Sequence, residues 1–214
     1  MRYLPPDLRP TLLLRRTRSL LDGMNKRPET RVLAPPLAAA HERLAREHAD
    51  RDRRHAARDE TRNDSNLAEL DLRDAIQGLH ALALQRLIGS DRRCLFPRGL
   101  TAETRPAGPS LVEGCQALLR RLDALHPFLR ERLAPGRAEL EHRVSRFEEL
   151  LRARERASAE LTAAFQQERA AALALTSAAH RAREQVRGID PALLRAICPR
   201  NPRRRDADPD AMAG

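Results

Sequence analysis

AELEHRVSRFEELLRARERASAELTAAFQQERAAALALTSAAHRAREQVR, residues 138–187, decides the fold. Stepping through it by alternating fours and threes gives Leu140, Val144, Phe147, Leu151, Arg154, Ser158, Leu161, Phe165, Glu168, Ala172, Leu175, Ala179, Ala182 and Val186. Eleven of these fourteen positions are apolar and the frame never slips. Such a repeat holds a narrow apolar seam on one side of a helix, as in coiled-coil packing. A helix of this length is a rod of roughly 75 Å. It cannot bury its seam on itself, so other helices of the chain must cover it.

A second long helix is predicted over residues 37–88. Its seam keeps the same frame from Leu37 through Leu44, Arg51, Arg58, Ser65, Leu72, Leu79 and Arg86, but positions 47–65 are polar. The run Asp64-Ser65-Asn66 has capping chemistry and would suit a break. An unbroken frame favours one helix, because a break is expected to shift it. The helix at 137–187 also has polar seam positions, Arg154 and Ser158. The two polar stretches would match if the helices lay side by side in register.

Between them lies a proline- and glycine-rich connector, residues 89–109, which Leu95, Phe96 and Leu100 are expected to pin down. The turn Leu95-Phe96-Pro97-Arg98-Gly99-Leu100 reads either as a recognition loop or as a clamp, and the clamp is favoured. Ser110 and Glu113 have the spacing of a capping box, which starts a shorter helix over 110–133. Pro127 breaks it or begins an extra turn, and Pro135-Gly136 is the expected turn into the long helix. Asp190-Pro191 should open a last short helix, 190–198, with aspartate as cap and proline in the first turn. The fold class is therefore all-α: an elongated up-down-up bundle of two long helices and one shorter one, with short terminal helices. Residues 199–214, with Arg203–Arg205, read as a disordered tail.

Residues 1–36 form a basic arm. Thr11–Asp22 is expected to be helical, with Gly23 ending it. Leu13, Leu14, Leu20 and Leu21 share one face, while Arg15, Arg16 and Arg18 crowd another. Such a face suits an acidic protein, a membrane surface or a phosphate backbone. The competing reading, which is favoured, docks the leucines on the bundle and leaves the arginines solvated.

The net charge of +10 invites a nucleic-acid reading. Lys26 is the only lysine, so the charge is almost all arginine, which with abundant alanine and proline points to GC-rich coding and a bacterial source. The excess is also off the long helices. Residues 1–36 carry eight basic and three acidic side chains, whereas 37–88 carry nine and ten, and 138–187 nine and eight. Near-neutral long helices are ordinary solvated faces. Aromatic residues are 2% and tryptophan is absent, as expected of long helices and not of a compact β fold.

The three cysteines, Cys94, Cys115 and Cys198, lie far apart with no C-x-x-C, which suits a reducing cytoplasm. No apolar run approaches a membrane span, and Leu12–Leu14 is too short for the core of a signal peptide. Glu139-x-x-His142 resembles half of a carboxylate di-metal site, with Asp52-x-x-His55 and Asp123-x-x-His126 as imperfect copies. Leu140 on the seam turns Glu139 and His142 outward, so no metal or cofactor is expected. His41, His48 and His55 recur every seven residues beside the seam, and His48 and His55 have Asp52 and Asp59 four residues on, within reach for a side-chain pair. They read as polar flank positions. No glycine-rich phosphate loop or nucleophile elbow is present. The chain is expected to be a non-enzymatic scaffold or adaptor whose partner is a protein, a second copy included. Phosphate-backbone binding through the arm and tail is the alternative. Arg15, Arg16, Arg18, Arg54, Arg58 and Arg154 are the candidate partner contacts.

Overall fold

A computed structural model describes residues 9–197. The predicted tail with Arg203–Arg205, Cys198 and the first eight residues of the arm lie outside the described residues. The fold is all-α, with α1 (Pro10–Asn25), α2 (Pro28–Arg31), α3 (Ala34–Arg86), α4 (Gly89–Leu95), α5 (Leu100–Thr104), α6 (Pro109–Asp123), α7 (Pro127–Ile189) and α8 (Pro191–Ile197). The two long helices α3 and α7 run 53 and 63 residues. The chain divides into two compact units: Arg54–Leu161 form one, and the residues up to Arg53 with those from Thr162 form the other.

Helix α3 is unbroken. Its polar middle is rich in Arg, Glu, Asp and Ala, and short-range pairs such as Arg53–Asp50 (3.1 Å) and His55–Asp59 (3.1 Å) support it along its own surface. Ser65 does not cap a new helix. It is buried, and its hydroxyl donates back to the Arg62 carbonyl at 2.9 Å.

The first unit is built on α1, α2, α8, the start of α3 and the end of α7. Leu13, Leu20, Leu21 and Met24 of α1 sit in one core with Leu37 and Leu44 of α3, Leu175, Ala179 and Val186 of α7, and Leu194 and Ile197 of α8. The leucine face of the arm is therefore docked. His41 Nε2 lies 3.2 Å from the Leu14 carbonyl and adds a polar tie to the same contact. Gly23 does not end α1, which continues to Asn25. A Cβ at Gly23 would stand 2.8 Å from Ile197 Cγ2 and 3.0 Å from the Ile197 carbonyl oxygen. The glycine is what lets α8 reach α1. Asp190 caps α8 as expected, its Oδ1 accepting from the Ala192 amide at 2.7 Å.

In the second unit α3 and α7 run antiparallel: Arg54 meets Glu160, Asp71 meets Arg143, and Arg86 Nη1 reaches the Arg132 carbonyl. Leu72, Ile76, Leu79, Leu118, Leu122, Leu140 and Phe147 form its core. Two boundaries differ from expectation. Pro135-Gly136 is not a turn, because α7 runs straight through it. The proline forfeits one helical hydrogen bond, but the seam continues behind it to Leu133, which is fully buried. Gly136 lies on that seam, where a Cβ would stand 2.9 Å from Leu79 Cδ1. The predicted 110–133 helix is instead α6 and the first turns of α7. Its start also moves: Gly108 is the N-cap with Pro109 just inside, and no side chain caps it. Proline presets the first helical position, which leaves Ser110 inside the helix where it cannot cap.

The connector is two short helices strapped down. Leu95 and Phe96 are buried and Leu100 packs against the core, as a clamp requires. Arg121 grips Glu103 with two bonds (2.8 and 3.0 Å), and Arg73 donates to the carbonyls of Thr104 and Pro106.

Cys115 lies inside this core, while Cys94 is exposed. Burial, and then the negative charge of Glu103, push the Cys115 thiol up from its ordinary 9.0 to about 12. The folded state thus keeps a proton that the unfolded chain loses above pH ~9. Its stability contribution is complete below that pH and is lost as pH rises towards about 12, at most on the order of 4 kcal/mol. Urea unfolding from pH 8 to 11 should show this alkaline loss in the native chain and a shallower one in Cys115→Ala. Parallel slopes in the two proteins would show that the thiol does not titrate with unfolding.

Candidate functional site

Five polar side chains are buried among the described residues, and Glu168 is the only charged one. The others are hydroxyls, and they are satisfied by nearby carbonyls: Thr17 by Leu13, Thr30 by Met24, Ser65 by Arg62 and Thr176 by Ala172. Glu168 occupies the α7 seam in the first unit, between Phe165 and Ala172. A carboxylate in that place must be matched from α3 or it would be an uncompensated buried charge.

Two α3 side chains one turn apart match it. His48 Nδ1 lies 2.6 Å from Glu168 Oε1, and Arg51 Nη1 donates to Glu168 Oε2 at 3.1 Å. Both oxygens are thereby engaged from one helix face. His48 and Arg51 are about a fifth exposed, so the cluster is open on the α3 side. Arg51 turns its other edge to Asp52, donating from Nε at 3.1 Å. Its guanidinium also lies 5.5 Å from the centre of the Phe165 ring, in cation–π range. The hydrogen bond to Asp52 foremost, and the charge of Glu168 with it, hold the Arg51 pKa above its ordinary value against the effect of burial. His48 Nε2 stands 3.9 Å from Asp52, the pairing its spacing predicts.

Chemically this is a charge clamp. It fixes which turn of α3 faces which turn of α7, because a slip by one turn would strand the carboxylate. The imidazole and both carboxylate oxygens face other side chains of the cluster.

The candidate arginines fall elsewhere. Arg15, Arg16 and Arg18 lie exposed together on α1, opposite its docked leucines. In the second unit Arg54 donates to Glu160 at 2.9 Å, Arg58 pairs with its neighbour Asp59, and Arg154 is exposed. The Arg58 hydrogen bond, with the charges of Arg58, His55 and Arg62, lowers the Asp59 pKa. Glu139 and His142 face outward, and Glu139 is held by Arg143. No group of three His, Cys, Asp or Glu suited to a metal ion occurs among the described residues. A shallow cleft of about 330 Å³ in the second unit is lined by Asp71, Asp74, Gly78, Gly136, Glu139 and Arg143 among others. Among the described residues no helix is long and apolar enough to cross a membrane.

Sequence reading assigns Glu168 no site role although it stands in the seam frame. The signal was available: a charged residue at a seam position with apolar neighbours on both sides demands a partner. His48, placed on the flank, proves to be one. No family model matches the chain, and comparison finds no similar curated protein and no similar solved structure.

Replacing Glu168 by Ala should cost about 2–4 kcal/mol, and by Gln about 1–2, since the amide retains one acceptor for Arg51. Urea unfolding of both variants measures this. Costs below about 0.5 kcal/mol in both would mean that the clamp does not hold the helices.

Proposed function

We propose that this protein is a non-enzymatic scaffold or adaptor that works by presenting a helix face to another protein. One observation carries the reading: α3 has a second stripe in the second unit, opposite its buried seam. Leu67, Leu70 and Leu84 are 61%, 55% and 50% exposed, and Ile88, just past the helix end, is 70% exposed. The three leucines recur at helical spacing on a face whose opposite side, through Ala68, Leu72, Ile76 and Leu79, is fully used in the core. Three exposed leucines along one helix face, with Ile88 exposed just past its end, are more than the scattered apolar residues of an ordinary surface, and such a face is the usual mark of an interaction site. A cytoplasmic setting belongs to the same reading and is supported by the free thiols of Cys94 and Cys115.

Side-chain footprinting tests it. Leu67, Leu70 and Leu84 should label several-fold less in whole cells than in the dilute purified chain, with Leu12 and Leu173 as exposed references. Equal labelling in both settings would refute the reading.

A second reading, binding of a phosphate backbone, is favoured by the exposure of Arg15, Arg16 and Arg18 on one helix whose other face is fixed in the core. Because α1 is part of that core, substitution is the proper probe and truncation is not. Under this reading, replacing all three arginines by Ala weakens binding to random-sequence nucleic acid in gel-shift titrations at two salt concentrations. The salt slope should fall by about 2–3. Unchanged affinity would remove the arm as a contact.

A further inference from the structure

We infer that the outer stripe of α3 pairs antiparallel with the same stripe of a second copy of this chain. The inference rests on the interaction reading above and names its partner.

The stripe is a repeat in its own right. Leu67, Leu70, Asp74, Gln77, Ala81 and Leu84 follow one another at steps of three, four, three, four and three, and all six are exposed. That spacing matches a helix and not a flat surface or an extended peptide. The ridge is open: where a Cβ would stand at Gly78, nothing lies within 4 Å. Its rims are neutralised within the chain, Asp71 by Arg143 on one side and Arg73 by Glu69 on the other. No single-sign field opposes the approach of an identical surface.

The order of the six residues selects the occupant. It reads apolar, apolar, polar, polar, apolar, apolar, and so is the same from either end. Turning one copy by a two-fold axis between Asp74 and Gln77 sets Leu67 against the partner's Leu84 and Leu70 against the partner's Ala81. Asp74 then faces the partner's Gln77, whose amide donates to the carboxylate. Within Leu67–Leu84 every apolar position meets an apolar one, and the two polar layers meet each other at the centre. Alternative pairings fail on Asp74. A parallel pair faces it with the partner's Asp74, a like-charge contact. An antiparallel slip of one heptad presses it against the partner's Leu70 or the partner's Leu84, burying a carboxylate on hydrocarbon. The stripe is thus self-complementary in one register, and the two-fold contact closes on itself.

The test uses the full chain carrying Cys94→Ser and Cys198→Ser. At about 100 µM, a concentration that reveals even modest self-affinity, sedimentation equilibrium should give a mass approaching two chains, falling to one on dilution. Leu70→Glu and Leu84→Glu should each restore the single-chain mass at unchanged helicity. For register, Asp74→Cys and Gln77→Cys are made separately, one carrying a tag, and mixed under mild oxidation. The mixed disulfide should exceed either same-variant disulfide several-fold. A single-chain mass at about 100 µM would overturn self-pairing. So would a dimer indifferent to both glutamate substitutions, or predominance of the Asp74→Cys homodisulfide. If self-pairing fails while the stripe remains protected in cells, the interaction reading stands with a different partner. If protection is absent as well, both fall.

Discussion

A narrow apolar seam on a helix too long to cover it alone is the constraint from which the rest of this structure follows. The α7 seam holds Leu140, Phe147, Leu161, Leu175 and Val186 away from water. Each buried side chain of this size contributes about 1.5–3 kcal/mol, but only if another element closes over it. In the second unit that element is α3, with α6 and the strapped connector completing the core. In the first it is α3 again, with α1 and α8. The basic arm is recruited by the same need, since its leucines supply surface that the two long helices lack. Docking leaves its arginines outside.

Seams of Ala and Leu specify that helices pack, but only weakly which turn meets which. In the first unit Glu168 supplies the missing specificity. A carboxylate 5% exposed is tolerable only where His48 and Arg51 meet it, so the clamp discriminates between registers in a way that leucine cannot. Glycine does comparable work by permitting contact. Gly23 admits Ile197, whose side chain and carbonyl oxygen both crowd the place of a Cβ, whereas at Gly136 a Cβ would have to displace the ends of Leu79 and Leu82.

Where sequence-based expectation and structure part, the reasons are local. Pro135 looks like a terminator, but a single lost hydrogen bond is outweighed by a seam that continues to Leu133. The Ser110–Glu113 pair has capping chemistry, but Pro109 takes the first helical position ahead of it. In the sequence Glu168 is one of three polar residues among fourteen seam positions. Its partners lie more than a hundred residues away, so no local pattern could name them. The outer stripe from Leu67 to Leu84 is hidden in the sequence for another reason. Once α3 is given one apolar face, further leucines look like scatter until their exposure is known.

The amino-acid sequence by itself determined the all-α class, the two long helices, the unbroken frame of α3, the capped final helix and the anchoring of the connector at Leu95 and Phe96. These follow from periodicity and from chain stereochemistry, which act over a few residues. Tertiary structure alone decided which helices the arm's leucines pack against, that Glu168 is clamped by His48 and Arg51, and which leucines remain exposed. Each of these depends on what a distant segment brings to a given face, and helical periodicity marks a face without saying what will cover it.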